Sequence, residues 1–143
     1  MSLLGLSVPS LLLIAIAIGA FVVVYFPFLV VGYARVQIGY NREMQAAPRA
    51  AFDKLPDYGK RATWAHANSW EAFTIFGIAA LMAYVTHQDS AIAAGAALTW
   101  IIVRLLYSVF YILNVPILRS LMFAIGSICS LTLIGLSILG SMK

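Results

Sequence analysis

Charged residues are scarce in this sequence. They make up 10% of its 143 residues, whereas 63% are hydrophobic, and the apolar residues fall in blocks that are too long for the core of a soluble domain. This composition excludes an ordinary soluble globular protein and indicates an integral membrane chain. The length allows a single domain, which we place at residues 1–143.

Cysteine is almost absent, and histidine is rare. Cys129 has no partner for a disulfide and lies in an apolar stretch, where packing is its expected role. No metal-ligand spacing is present, so we expect no metal. The formal charge of +4 is not spread over a soluble face, because six of the nine basic residues lie between Arg35 and Arg61. We interpret this cluster as a signal of membrane topology and expect no nucleic-acid partner.

Four apolar blocks are each long enough to cross the hydrocarbon core of a membrane as a helix. At about 1.5 Å per residue each reaches or exceeds a thickness of about 30 Å, and a backbone in lipid must satisfy its own hydrogen bonds. We therefore predict an all-α membrane protein, a bundle of four transmembrane helices at about residues 10–33, 62–86, 90–113 and 117–140. Pro27 should bend the first helix. The apolar run of the first block is longer than the core of a signal peptide, so we expect it to be retained as a membrane anchor.

The basic residues also predict the orientation of the chain. The long loop at about residues 34–60 is rich in Lys and Arg, which places it in the cytoplasm by the positive-inside rule. The turn near residues 87–89 has no Lys or Arg, whereas the turn near residues 114–116 is followed by Arg119. This alternation is consistent, so both termini are expected on the opposite side of the membrane.

Two ionisable residues, Glu71 and Arg104, lie inside the predicted spans. Such residues are costly in lipid and mark functional positions with a specific partner. Each lies about ten residues, or roughly 15 Å, from the cytoplasmic end of its helix. Equal depth and opposite charge on adjacent helices predict mutual compensation, either as a structural ion pair or as part of a binding site.

Further polar residues share the face of Glu71 on the second helix. At about 100° per residue, Arg61, Asn68 and Glu71 form one stripe that runs inward from the cytoplasmic surface. His66 lies about 140° away from Arg61 on the same helix. We therefore interpret His66 as a helix-contact or interfacial residue and not as a catalyst.

The third and fourth helices add a second group of polar residues. Arg104, Tyr107 and Tyr111 share one face of the third helix, and Arg119 and Ser120 open the fourth. Together these residues predict a cavity in the cytoplasmic half that binds an anionic, polar group and admits an apolar partner from the bilayer. The alternative is that the arginines and tyrosines only anchor and cap helices.

At these residues the chain resembles the MAPEG family, the membrane-associated proteins in eicosanoid and glutathione metabolism. The resemblance covers nearly the whole chain and is carried by the patterns RATWAHANSWEAF, RLLYSVFY and PILRS. It implies a homotrimer that binds glutathione as a co-substrate in a cytoplasm-facing cleft between subunits. It also implies a glutathione transferase or peroxidase-like enzyme that acts on lipophilic electrophiles or lipid hydroperoxides from the bilayer.

The resemblance further implies roles for individual positions. In the family an asparagine and a glutamate hold the glutathione backbone, the third helix supplies one wall, and a first-helix arginine meets a carboxylate. The matching residues in this sequence are Asn68, Glu71, Arg104, Tyr107, Tyr111 and either Arg35 or Arg42. Arg119 and Ser120 match the catalytic pair beside the sulfur, where a cation or hydroxyl stabilises the nucleophilic thiolate.

Two positions depart from the family pattern. Trp64 and Ala67 stand where glutathione-using members carry arginines, and Arg61, one turn from Trp64, is expected to replace one of them. The pattern is closer to bacterial members, so we expect a bacterial inner membrane. The alternative function is a non-catalytic trimeric membrane protein that binds lipid or a protein partner. A transporter or channel fits less well, because the chain lacks inverted repeats and paired broken helices.

Overall fold

The computed structural model describes residues 2, 3 and 5–142, and most of them are helical. The chain opens with a short antiparallel hairpin of β1 (Ser2–Leu3) and β2 (Leu6–Ser7). The α-helices that follow are α1 (Val8–Ile18), α2 (Phe26–Gln37), α3 (Arg42–Ala46), α4 (Asp57–Val85), α5 (Ala91–Ile112) and α6 (Pro116–Ser141). A π-helical turn, Gly19–Val23, joins α1 to α2, and a 3-10 turn, Ala50–Lys54, precedes α4.

Three helical segments are long and apolar enough to cross a membrane: Val8–Gln37, Ala91–Ile112 and Pro116–Ser141. They make the protein an all-α membrane protein. The helix α4 is also long, but it carries Asp57, Lys60, Arg61 and Glu71 and is not one of these three. It begins five residues before the predicted start at residue 62, because polar turns continue the helix beyond its apolar block.

The first long segment is interrupted upstream of Pro27. The N–H of Val24 bonds to the carbonyl of Gly19, five residues earlier, at 3.1 Å. Pro27 has no N–H for the carbonyl of Val23, and its ring crowds that turn. The structure therefore shows an interruption of the helical hydrogen bonds one turn before Pro27, in the π-helical segment, and the bend at Pro27 stays a prediction.

Local side chains determine where two of the helices begin. The hydroxyl of Ser7 accepts the N–H of Ser10 at 3.3 Å, and the hydroxyl of Ser90 accepts the N–H of Ala93 at 3.1 Å. These bonds satisfy donors that a helix start leaves without partners. Pro116 occupies the first position of α6, where a proline is well tolerated.

Two sharp turns bring α4, α5 and α6 together. His87 (φ 54°) and Asn114 (φ 60°) adopt the left-handed conformation just after α4 and α5. In each case the next N–H bonds to a carbonyl five residues earlier, at 2.9 Å. This helix-ending motif reverses the chain within a few residues, so the three helices become neighbours.

The core lies where α1, α4 and α5 meet. Trp100 stacks on Phe76 with ring centroids 3.8 Å apart and planes within 9° of each other. Small side chains surround this pair and let the helices approach closely, as is common in membranes. The buried alanines of the core are Ala15, Ala79, Ala80, Ala83, Ala93, Ala94 and Ala97. Arg104 lies one turn beyond Trp100, at the edge of the core.

Candidate functional site

A cavity of about 340 Å³ opens between α4, α5 and α6. Asn68, Glu71 and Arg104 form the charged and amide part of its wall, and most of the remaining wall is apolar. The other residues of the lining are Ala72, Ile75, Trp100, Phe123, Gly126, Ser127, Ser130 and Leu131. We call this space the Arg104 cavity.

Arg104 is buried, with only 1% of its surface exposed. Its Nη2 donates to the Asn68 carbonyl at 3.2 Å and to Asn68 Oδ1 at 2.9 Å. Its Nε is buried and has no hydrogen-bond partner among the described residues. A buried donor without an acceptor is costly, so a polar ligand or water in the cavity would stabilise this guanidinium.

Asn68 stands between the two predicted membrane charges. Its Nδ2 donates to Glu71 Oε2 at 3.3 Å, while its Oδ1 accepts from Arg104. Within the described residues, Arg104 and Glu71 form no direct ion pair. Within one chain the two charges are therefore connected through the amide of Asn68, which lies one turn from Glu71 on the same face of α4 and points a different atom at each charge. An ion pair across a subunit interface, the other form of the predicted compensation, stays a prediction.

A row of two tyrosine rings between two arginines leads away from the cavity. The Arg104 Cζ lies 4.1 Å from the centroid of the Tyr107 ring, and the Tyr107 and Tyr111 rings meet edge to face at 5.6 Å. The Arg119 Cζ lies 4.7 Å from the centroid of the Tyr111 ring. Such contacts contribute about 0.5–2 kcal/mol each, more as water is excluded. We call these four residues the arginine–tyrosine row.

Arg119 and Ser120 lie early in α6, at the far end of this row. Arg119 is half-buried, Ser120 is exposed, and neither lines the Arg104 cavity. The beginning of a helix favours negative charge because its first N–H groups have no helical acceptor. An anion at this point would therefore meet a guanidinium, a hydroxyl and the positive end of α6 together.

Arg61 lies at the N-terminal end of the polar stripe on α4, but it also has a structural partner. Its Nε donates to the carbonyl of Ile112 at 2.9 Å and so caps the end of α5. Ile112 follows Tyr111 directly. The structure thus brings Arg61 close to the arginine–tyrosine row, with Nε already engaged.

Two other predicted binding residues lie away from the Arg104 cavity within one subunit. Arg35 has its Cζ 5.0 Å from the Tyr40 ring centroid and lines a different cavity, together with Trp64. Arg42 is exposed at the start of α3. The reason is that α2 packs against α4, whereas the Arg104 cavity opens between α4, α5 and α6.

His66 makes a contact between helices. Its Nδ1 lies 2.8 Å from the carbonyl oxygen of Val24, in the interrupted segment between α1 and α2. Its ring packs against Phe28 with centroids 5.0 Å apart. The position of His66 on α4, turned away from Arg61, indicated this role.

The sequence analysis missed the part of the cavity that α6 contributes. Gly126 faces Arg104, and a Cβ at this glycine would lie 3.3 Å from Arg104 Cδ. Gly126 and Ser130 are four residues apart and small, a spacing that favours close helix approach in membranes. The spacing of these small residues is visible in the sequence, but it does not show which helix packs against this face of α6.

Comparison with known proteins gave a result at the level of the family. No curated protein and no solved structure gave a significant match. The model of the MAPEG family matches residues 12–139, a range that includes the Arg104 cavity and the whole arginine–tyrosine row. Membership supports, at family level, an integral membrane protein related to glutathione transferases and eicosanoid metabolism. Because the match spans nearly the whole sequence, this chain belongs to the MAPEG family.

Proposed function

We propose that this protein is a membrane-bound glutathione transferase or peroxidase-like enzyme. It would join the thiolate of glutathione to lipophilic electrophiles or use it to reduce lipid hydroperoxides. The observation that carries the proposal is the arginine–tyrosine row, which links a buried cation beside a largely apolar cavity to a second cation at a helix start. A thiol peptide with two carboxylates needs such cations, and its apolar acceptor needs a route from the bilayer.

The proposed membrane arrangement has four spans, with α4 as the fourth. Helix α4 packs against α1, α2, α5 and α6, and its second half, residues 72–85, contains no charged residue. The loop between α2 and α4 carries Arg42, Arg49 and Lys54, and by the positive-inside rule these charges support a cytoplasmic loop with both termini on the other side. A bacterial inner membrane is the proposed location.

We propose a homotrimer with its sites between subunits. Glu71 is exposed on a single chain, although its place on α4 corresponds to membrane depth. A carboxylate there requires protein or ligand, and not acyl chains, as its neighbour. A subunit interface provides this cover, and it would also bring Arg35 of one subunit toward the site of the next.

Each polar group has a distinct proposed role. Glu71 accepts a hydrogen bond from the amino group of glutathione. Asn68 and Arg104 form hydrogen bonds with the backbone or carboxylate oxygens of the tripeptide. Arg119 and Ser120 hold the sulfur. A free thiol has a pKa near 8.5 and reacts as the thiolate, which an adjacent guanidinium favours at neutral pH. Stabilising the thiolate and aligning it with the acceptor are enough for conjugation.

The test is the ionisation of bound glutathione. On mixing with the purified protein at neutral pH, we expect ultraviolet thiolate absorbance and turnover of a chlorodinitrobenzene-type electrophile. Arg119→Gln should lose the absorbance and at least about tenfold in rate, because it removes a charge that stabilises the reacting anion. Lys54→Gln, in the exposed loop, is the matched control. Absence of glutathione binding by calorimetry would remove the proposal, and so would an Arg119→Gln variant equal to wild type.

A second function, a non-catalytic trimer that binds lipid or a protein, is favoured by Trp64. This side chain is 48% exposed and packs on Phe52 at 5.7 Å between ring centroids, at a position where the family uses an arginine for glutathione. In this case the calorimetric experiment would give no heat, while the arginine–tyrosine row would still stabilise the fold.

A further inference from the structure

Arg61 holds the turn between α5 and α6. Its Nε donates to the carbonyl oxygen of Ile112 at 2.9 Å. Ile112 is the last residue of α5, and Pro116, four residues later, has no N–H to donate to this carbonyl. The N–H groups of residues 113–115 bond to earlier carbonyls, those of Val109, Tyr111 and Phe110. Arg61 therefore supplies the hydrogen bond that the Ile112 carbonyl does not receive from the described backbone.

This turn connects the two residues at the far end of the arginine–tyrosine row. Tyr111 directly precedes Ile112, and Arg119 lies in the first turns of α6. The Arg119 Cζ lies 4.7 Å from the centroid of the Tyr111 ring. Among the described residues the Arg119 side chain forms no hydrogen bond and no ion pair. The position of its guanidinium thus depends on the Tyr111 ring and on the shape of the turn.

Arg61 connects this turn to the helix that carries the other end of the candidate site. Arg61 and Asn68 are seven residues apart on α4, which is about two turns, or roughly 10 Å, along one face. Asn68 in turn accepts from Arg104 of α5 at 2.9 Å. Two arginine hydrogen bonds therefore join α4 and α5 along this face. They set the distance between Glu71, on α4, and Arg119, beyond the turn.

We propose that Arg61 is a positioning residue, which holds Arg119 where its guanidinium stabilises the thiolate of glutathione. This role rests on the function proposed above for Arg119. Arg61 does not touch the sulfur and acts through the Ile112 carbonyl and the turn. The sequence instead predicted that Arg61 replaces an arginine ligand of glutathione. Its Nη groups have no acceptor among the described residues, so direct binding of a peptide carboxylate is the competing role.

The ionisation and the binding of glutathione separate these two roles. Arg61→Met keeps an apolar stem and removes every donor. It should raise the pKa of the bound thiol and lower kcat by about 10–100-fold, as a displacement of about 1 Å in a reacting group does. The Kd for glutathione should change by less than about threefold, because no contact with the peptide is lost. Arg61→Lys keeps a cationic donor for the same carbonyl and should recover most of the loss.

A second measurement needs no glutathione. Hydrogen–deuterium exchange of the full protein in detergent reports the local stability of the turn. Arg61→Met should speed exchange at residues 113–115 by at least about tenfold, since a bond from a charged donor is lost. Exchange at residues 126–137 of α6 should not change. Lys60→Met is the matched control: it removes the neighbouring charge, which lies 6.0 Å from the Phe52 ring centroid, and should leave exchange at the turn and turnover unchanged.

Three results would overturn the positioning role alone. Unchanged exchange at residues 113–115 would show that Arg61 does not hold the turn. Faster exchange with unchanged thiol pKa and kcat would show that the bond serves only the fold. A weaker Kd with an unchanged pKa would assign Arg61 to direct binding of the peptide. A wild type without thiolate absorbance would overturn the function proposed above together with this role, whereas the first three results leave that function intact.

Discussion

Asn68 connects the buried cation to the acid, so its truncation should reveal how the two charges are held. Asn68→Ala removes the Oδ1 that accepts from Arg104 at 2.9 Å and the amide that donates to Glu71 at 3.3 Å. Arg104 would keep only the backbone carbonyl of residue 68, at 3.2 Å. Its Nε already lacks a partner within the described residues.

The burial of Arg104 decides the expected magnitude. Neutral hydrogen bonds between membrane helices contribute about 0.6 kcal/mol on average, whereas bonds to charged groups contribute about 1.5–3 kcal/mol. Because Arg104 is only 1% exposed, the lost acceptor belongs to a buried charged group, and we expect Asn68→Ala to cost about 2 kcal/mol. Arg104→Met removes the charge and keeps an apolar stem, so it should cost about 1 kcal/mol.

A double-mutant cycle separates this interaction from general packing. Reversible unfolding in mixed micelles gives the free energy for wild type, both single variants and the double variant. The double variant should lose about 1 kcal/mol and not the additive value of about 3 kcal/mol, because Asn68 has no charge left to satisfy. Thr74→Ala, on the exposed side of α4, is the control and should change stability by less than about 0.5 kcal/mol. Additive losses would refute the bridging role of Asn68.

The remaining predictions concern packing. Gly59→Ala should destabilise the protein by about 1–3 kcal/mol in the same unfolding assay, because its Cβ would lie 2.7 Å from the Ala34 Cβ. Gly77→Ala should instead stabilise it by up to about 1 kcal/mol, because its Cβ would meet Phe73 at an ordinary 3.7 Å; equal effects at both glycines would contradict the close approach of α2 and α4. Trp100→Ala should cost about 3–5 kcal/mol through loss of the stacked pair, and a loss below about 1 kcal/mol would place the core elsewhere.

Helical periodicity anticipated which polar residues share a face. The spacing of Asn68 and Glu71 puts them one turn apart on α4, and the spacing of Arg104, Tyr107 and Tyr111 produces the row along α5. These relations lie within single helices, so they follow from 3.6 residues per turn.

Relations between helices were less predictable. Charge and depth favoured compensation between Arg104 and Glu71. Within the chain Arg104 instead bonds to Asn68, and which residue of α4 it reaches depends on how α4 and α5 rotate against each other. The contact of Gly126 with Arg104 was likewise not predictable, because it depends on how α6 packs against α5. Hydropathy located the apolar part of α4 and not its polar first turns, because transfer free energy does not report where the helical hydrogen bonds begin.

The most direct measurement of the central claim is an experimental structure of the protein in lipid with reduced glutathione at saturating concentration. We predict one tripeptide per Arg104 site, with its amino group at Glu71, its backbone on Asn68 and Arg104, and its sulfur beside Arg119. Density for the peptide elsewhere, or a structure in which Glu71 and Arg104 face acyl chains and no peptide is bound, would contradict the account.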